Sequence, residues 1–418
     1  MRMQQWLSKM VLVRVCALAS IFVATTVCDN PSNTSGNGDG GSGGSGGSTS
    51  TSSSSSSSGD TTSSSSSSSS GTGGGGAGVC GNLGEPCCVG PDVCKTGLDC
   101  QDKVCIEGDR LYIGDNSKFT VKEFDTRNGV YMRDLVAPGS GGLHGAMGIL
   151  VPPGGDELWV VNQNVNLPMN GAILRYDRTT GEFLSALVSP SSTGSPSVPR
   201  GMVISPAGEL IVADNGELTP PPYGRLPRYN TTTGAFLGDF DTSGFLPPFM
   251  PRGVVVGPDG LLYVSGIDAI GENGYVIRFD LTTKTYKDTF ITATAATQYA
   301  GGLHKPEGIV FGPDGKLYVT SARYMAGTAS RIMIYDSNGA NVNHIDLDDP
   351  AQQENYAQAM VFGPDGRLFV AMTITGEVRS YDVATLNYTS FVKPGTGLEF
   401  PWYLSFGKTN PATLAYEP

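Results

Sequence analysis

The stretch Gly308-Ile-Val-Phe-Gly-Pro-Asp-Gly-Lys-Leu-Tyr-Val319 reads as a strand, a tight turn on Pro313-Asp314-Gly315, and a second strand. Near-copies recur from Arg110 to the end of the chain, so this one hairpin dictates most of the architecture. Its second strand returns as Leu111-Tyr-Ile, Leu158-Trp-Val, Leu210-Ile-Val, Leu262-Tyr-Val, Leu317-Tyr-Val and Leu368-Phe-Val. A second signature, an aromatic followed by Asp or Asn, returns as Phe124-Asp, Tyr176-Asp, Tyr229-Asn, Phe279-Asp, Tyr335-Asp and Tyr381-Asp. Asp or Asn at that place accepts a hydrogen bond from backbone two residues on and opens a turn. Successive copies of the second signature lie 46–56 residues apart, room for four short strands. Period-2 alternation, with no apolar stripe of helical length, excludes a helical solenoid. The expectation is an all-β chain of radial four-stranded blades, a six-bladed β-propeller.

Counting also predicts how the ring shuts. The innermost strand of the unit stands at Gly253 and Gly308, and in altered form at Gly148, Gly201 and Ala359. None precedes Leu111, whereas Tyr403-Leu-Ser-Phe-Gly407 repeats it with no second strand after it. The C-terminal strand is therefore expected to complete blade one, which leaves no open sheet edge.

The remaining segments differ in composition. Arg2, Lys9 and Arg14 precede an apolar run from Val15 to Val27, the layout of an export signal. Residues 29–79 are dominated by Ser, Gly and Thr and bury nothing, so they are expected to act as a flexible linker reaching roughly 35–40 Å. Cys80, Cys87, Cys88, Cys94, Cys100 and Cys105 then fall within 26 residues, a disulfide framework for an exported piece too small to hold itself together by burial. Fifteen pairings are open. The expected domains are a leader at 1–28, the linker at 29–79, a disulfide module at 80–106 and the propeller at 107–418. A net charge of −12, from 27 basic and 39 acidic residues, argues against nucleic acid as a partner.

In a propeller, the residues that start each innermost strand gather at the mouth of the central channel. These are Met147, Arg200, Arg252, Glu307, Gln358 and Trp402. Those ending the second strands emerge on the same face: Asp115, Asn162, Asp214, Gly266 with Asp268, Ser321 and Met372. Arg200 and Arg252 could grip a carboxylate or phosphate, with Trp402 and Gln358 beside them, or be neutralised by Asp214 and Glu307. His144 and His304 stand in matching Gly-Gly-Leu-His registers on opposite blades. They are either a functional pair, candidates with Glu307 for acid–base work, or loop anchors copied with the repeat. His344 falls in an outer strand and receives no role.

The hairpin unit resembles that of NHL-repeat and senescence-marker (gluconolactonase)-like propellers, over residues 110–418. Lactonases of that group hold a divalent metal with Glu, Asn and Asp at the mouth, which implies Glu307, Asp214, Asn162 and Asp115 as a calcium or zinc set. A related amidating lyase, with His residues around zinc, is echoed by His144 and His304. The leader resembles that of bacterial lipoproteins, with Cys28 before Asp29 as the lipidated residue, although Thr25 and Val27 depart from the usual box; plain secretion is the other reading. The module texture around Cys87-Cys88 resembles knottin-like modules. Together these imply an exported, envelope-anchored propeller, attached to membrane through its lipid alone. It would bind a small anionic ligand or a surface protein at the mouth, the alternative being a metal-dependent hydrolase or lyase acting there.

Overall fold

A computed structural model describes residues 80–88, 94–95, 98–216, 223–245, 248–268, 273–292, 303–322, 329–348 and 355–417. The leader, Cys28 and the linker lie outside them.

Six antiparallel sheets are stacked around an axis. From inside outward, blade one is Pro401–Phe406, Arg110–Asp115, Thr120–Asp125 and Tyr131–Val136, and blade two is Ala146–Leu150, Glu157–Asn162, Ala172–Asp177 and Phe183–Val188. Blade three is Pro199–Ile204, Glu209–Gly216, Pro227–Asn230 and Phe236–Asp239, with Tyr223–Arg225 added on the second strand. Blade four is Phe249–Val256, Leu262–Asp268, Gly274–Asp280 and Thr285–Thr292. Blade five is Ile309–Phe311, Leu317–Ser321, Arg331–Tyr335 and Asn341–Asp346, and blade six is Ala357–Phe362, Leu368–Met372, Glu377–Tyr381 and Tyr388–Val392. Each innermost strand touches the next, and that of blade six touches that of blade one. The expected closure is present: Leu404 pairs with Ile113 and Ser405 with Tyr112.

The repeated signatures form the predicted local structures. Phe124, Tyr176, Tyr229, Phe279, Tyr335 and Tyr381 are all buried in the blade cores. Each following Asp or Asn accepts the backbone N–H two residues on, at 2.7–2.9 Å, from Arg127, Thr179, Thr232, Thr282, Asn338 and Ala384. These turns lie on the face of the ring opposite the mouth.

After Phe406 the chain runs beneath the channel on that same face. Pro411 O accepts from Ile204 N at 2.8 Å and Ala412 O from Val256 N at 2.9 Å, so the tail satisfies the ends of two innermost strands. Leu414 packs against the core clusters of blades three to six. The channel is thereby closed at the bottom.

The module is a hairpin of Leu98–Gln101 and Val104–Glu107 carrying the disulfides Cys80–Cys88, Cys87–Cys100 and Cys94–Cys105. Arg127, in a turn of blade one on the closed face, donates to Lys95 O at 3.1 Å and stands 3.6 Å from Asp99. The module thus meets the propeller on the side away from the mouth.

Candidate functional site

One local device positions the mouth residues. In blades one, two, three, four and six, two residues of the innermost strand oppose a single residue of the second strand. Such a bulge turns both of its residues out of the ladder. The pairs are Trp402–Tyr403, Met147–Gly148, Arg200–Gly201, Arg252–Gly253 and Gln358–Ala359. In blade five, Glu307–Gly308 occupies the same place, both N–H groups donating to Thr320 Oγ1 at 3.1 and 2.9 Å. The first residues of the pairs form the mouth ring, and the second residues line the axis one layer below.

That lower layer is crowded. A Cβ on Gly253 would come within 2.1 Å of Glu307 O, and one on Gly148 within 2.8 Å of Arg200 O. Glycine is required there because neighbouring innermost strands touch backbone to backbone. Tyr403 alone places a large side chain in the layer, and its hydroxyl crosses the axis to Glu307 Oε1 at 3.3 Å.

Glu307 is the hub of the mouth and is fully buried. Arg200 Nη1 donates to Oε1, and Arg252 Nη1 stands 3.5 Å from Oε2. Tyr356 donates to Oε2 at 3.1 Å. In the amide orientation that satisfies both neighbours, Gln358 donates to Oε1 at 3.3 Å and accepts from Trp402 Nε1 at 3.0 Å. A polar arc therefore runs from blade three through blade six to blade one, and blade two closes the circle with buried, apolar Met147. Burial, and then the Glu307 charge, push the Tyr403 and Tyr356 phenols well above their usual range, so both remain donors.

The two arginines are not equivalent. Burial opposes the Arg200 charge, but Glu307 together with Tyr403 and Tyr356 outweighs it and holds the guanidinium above its ordinary value. For Arg252, burial and then the Arg200 charge push it below its ordinary value. With side chains only 15% and 13% exposed, the pair carries one positive charge more than Glu307 neutralises. Among the described residues Arg252 makes no hydrogen bond, and Nε of each arginine is buried without a partner. A buried cation is ordinarily fully hydrogen-bonded, so a buried Nε without an acceptor on each arginine is a costly arrangement.

The residues ending the second strands do other work. Asp115 accepts from Glu399 N and Phe400 N at 3.0 and 3.2 Å. Asn162 accepts from His144 N at 2.9 Å, and Ser321 from His304 N at 3.0 Å. Asp214 accepts from Ser197 N and Val198 N at 2.9 and 2.7 Å, and from Arg225 at 3.1 Å. Each ties down the loop that enters the innermost strand of its own blade. Asp214 is thus directed to Arg225, while Glu307 serves both mouth arginines. The imidazoles make other contacts: the His144 ring lies against Phe119 of blade one at 3.9 Å with Nδ1 buried and without a partner among the described residues, and His304 Nδ1 meets Ala322 O at 3.2 Å. His344 lies in the outer strand of blade five.

The metal set implied by the lactonase resemblance does not fit this geometry. Among the described residues, the one group of three or more His, Cys, Asp or Glu ligand atoms close enough to share an ion is Cys87, Cys94 and Cys105, all in disulfides. Asp115 and Asp214 are saturated by backbone N–H groups, and Glu307 has guanidinium groups where a cation would stand. Calcium, zinc or manganese is expected to leave the melting temperature unchanged within about 1 °C, and a chelator likewise; a rise of several degrees with any of them would contradict this.

Sequence reasoning located the mouth ring but missed Tyr356 and Tyr403. Tyr403 was signalled in the repeats, because it stands where the other blades carry Gly148, Gly201, Gly253, Gly308 and Ala359. Tyr356 lies before its strand and had no such marker.

A family model described as strictosidine synthase-like, N-terminal, matches residues 294–323, the stretch carrying His304 and Glu307. No curated protein matches the chain significantly. A solved nidogen/laminin complex aligns with a TM-score of 0.50 at 14% identity, over 72% of this chain and 98% of that one. The periplasmic gluconolactonase of Pseudomonas aeruginosa gives 0.46 at 18% identity, over 68% and 81%. Virginiamycin B lyase from Staphylococcus aureus gives 0.43 at 16%, over 70% and 82%. At 14% identity the likeness to the nidogen/laminin structure is one of fold.

Proposed function

We propose that this chain is an exported propeller, lipid-anchored through Cys28 and held out on the Ser/Gly/Thr linker, that binds a small anionic ligand at the channel mouth without transforming it. The observation that carries the reading is Arg252, a largely buried side chain with no hydrogen bond among the described residues and a single shared carboxylate 3.5 Å away. A monocarboxylate between Arg252 and Arg200 would supply the missing acceptor and bring the site to neutrality. A hydrolase or lyase built on Glu307 would need that carboxylate free to move protons or bind metal, and it is engaged by Arg200, Tyr356, Tyr403 and Gln358.

Thermal melts with acetate and with neutral acetamide test the reading. Acetate is expected to raise the melting temperature by a few degrees at saturating concentration, and acetamide not to. Arg252→Leu is expected to lose the acetate response while melting at or above the wild-type temperature, since it removes an uncompensated buried charge. An equal acetate response in that variant would overturn the assignment.

A further inference from the structure

Below the layer of small residues lies a narrow axial cavity of about 40 Å³, room for two or three waters. Its lining is mixed: Ile149, Met202, Val254, Ile309 and Leu404 stand beside Ser405, Thr409 and the glycine backbones, and Leu414 of the tail forms its base. Tyr403 and Glu307 border it from above. Five blades leave the axis open with Gly or Ala at this level, and the Tyr403 ring, bonded to Glu307, stands between the mouth and the space beneath.

Building on the proposed anion site, we infer that Tyr403 is the floor of that site and the residue that sets its ligand length. With the ring in place, an anion gripped by Arg200 and Arg252 has no room below its charged group. The site therefore selects carboxylates whose remaining atoms project outward past Trp402. Without the ring, the mouth joins the cavity beneath and an aliphatic tail can pass down the axis between Ile149, Val254 and Ile309. The Tyr403–Glu307 hydrogen bond fixes the ring across the opening.

The test compares acetate, hexanoate and neutral hexanamide by calorimetry on the full chain and on Tyr403→Ala and Tyr403→Phe. In Tyr403→Ala the ratio of hexanoate to acetate affinity is expected to rise at least tenfold over wild type, because buried methylenes each add to binding. Tyr403→Phe keeps the ring and should keep the wild-type ratio. Should the alanine variant be unstable, Tyr403→Leu carries the same expectation of a raised ratio. An unchanged ratio, with acetate still bound, would overturn the role of Tyr403 and leave the anion site standing. If neither carboxylate binds wild type, but hexanamide binds Tyr403→Ala and not wild type, the anion site falls and the floor stands. No binding of hexanamide or of either carboxylate to any form overturns both.

Discussion

Glu307→Ala is expected to destabilise the propeller by about 3–5 kcal/mol, the range for removing one partner from a buried charge cluster. Glu307 is fully buried and is the carboxylate facing both Arg200 and Arg252. Without it, two buried guanidinium groups repel each other with no counter-charge, and the hydroxyls of Tyr356 and Tyr403 lose their acceptor. Adding Arg252→Leu should recover part of the loss, since a single cation then remains, and a double-mutant cycle in urea would measure the coupling. A loss below about 1 kcal/mol in the single variant would mean that water already solvates the two arginines.

Phe406→Ala is expected to cost about 3–5 kcal/mol, and more than the same change at its repeat counterpart Phe311. Phe406 is fully buried and joins three parts of the chain. It belongs to the strand that closes blade one, stacks edge-on against Phe369 of blade six at 4.9 Å, and meets Tyr416 of the tail at 5.5 Å. Its removal loosens the seam between first and last blades and the plug beneath the channel together. Phe311 is only partly buried and bridges neighbouring blades through Tyr263 at 5.0 Å. Equal losses at the two positions, measured by denaturant unfolding, would show that closure adds nothing special at Phe406.

The architecture was legible because its determinants are local and repeated. The turn after Tyr176 depends on what Asp177 can bond two residues on, and the same chemistry recurs after Phe279 and Tyr381. Closure followed from counting, because Tyr403–Gly407 had to pair with a strand already made. The mouth ring was legible because the bulge holds Arg200, Arg252 and Gln358 at one offset from their strands. Pairing within the ring was not legible. Whether Glu307 or Asp214 neutralises the arginines depends on how far a side chain reaches across the axis, and Arg200 of blade three bonds to blade five. The disulfides were equally hidden, since separations of 8, 13 and 11 residues leave no preference readable from spacing. The matching registers of His144 and His304 place both backbone N–H groups on the end of a second strand, an anchoring that sequence alone does not separate from shared chemistry.

The most direct measurement is the anomalous signal of crystals soaked in sodium bromide. The anion is small enough for the cup and is placed without any assumption about its organic part. A bromide peak within hydrogen-bond reach of the Arg252 guanidinium, lost in Arg252→Leu, is the predicted result. Bromide bound elsewhere on the surface with none at Arg252, at concentrations that saturate the other positions, would contradict an anion site at the mouth.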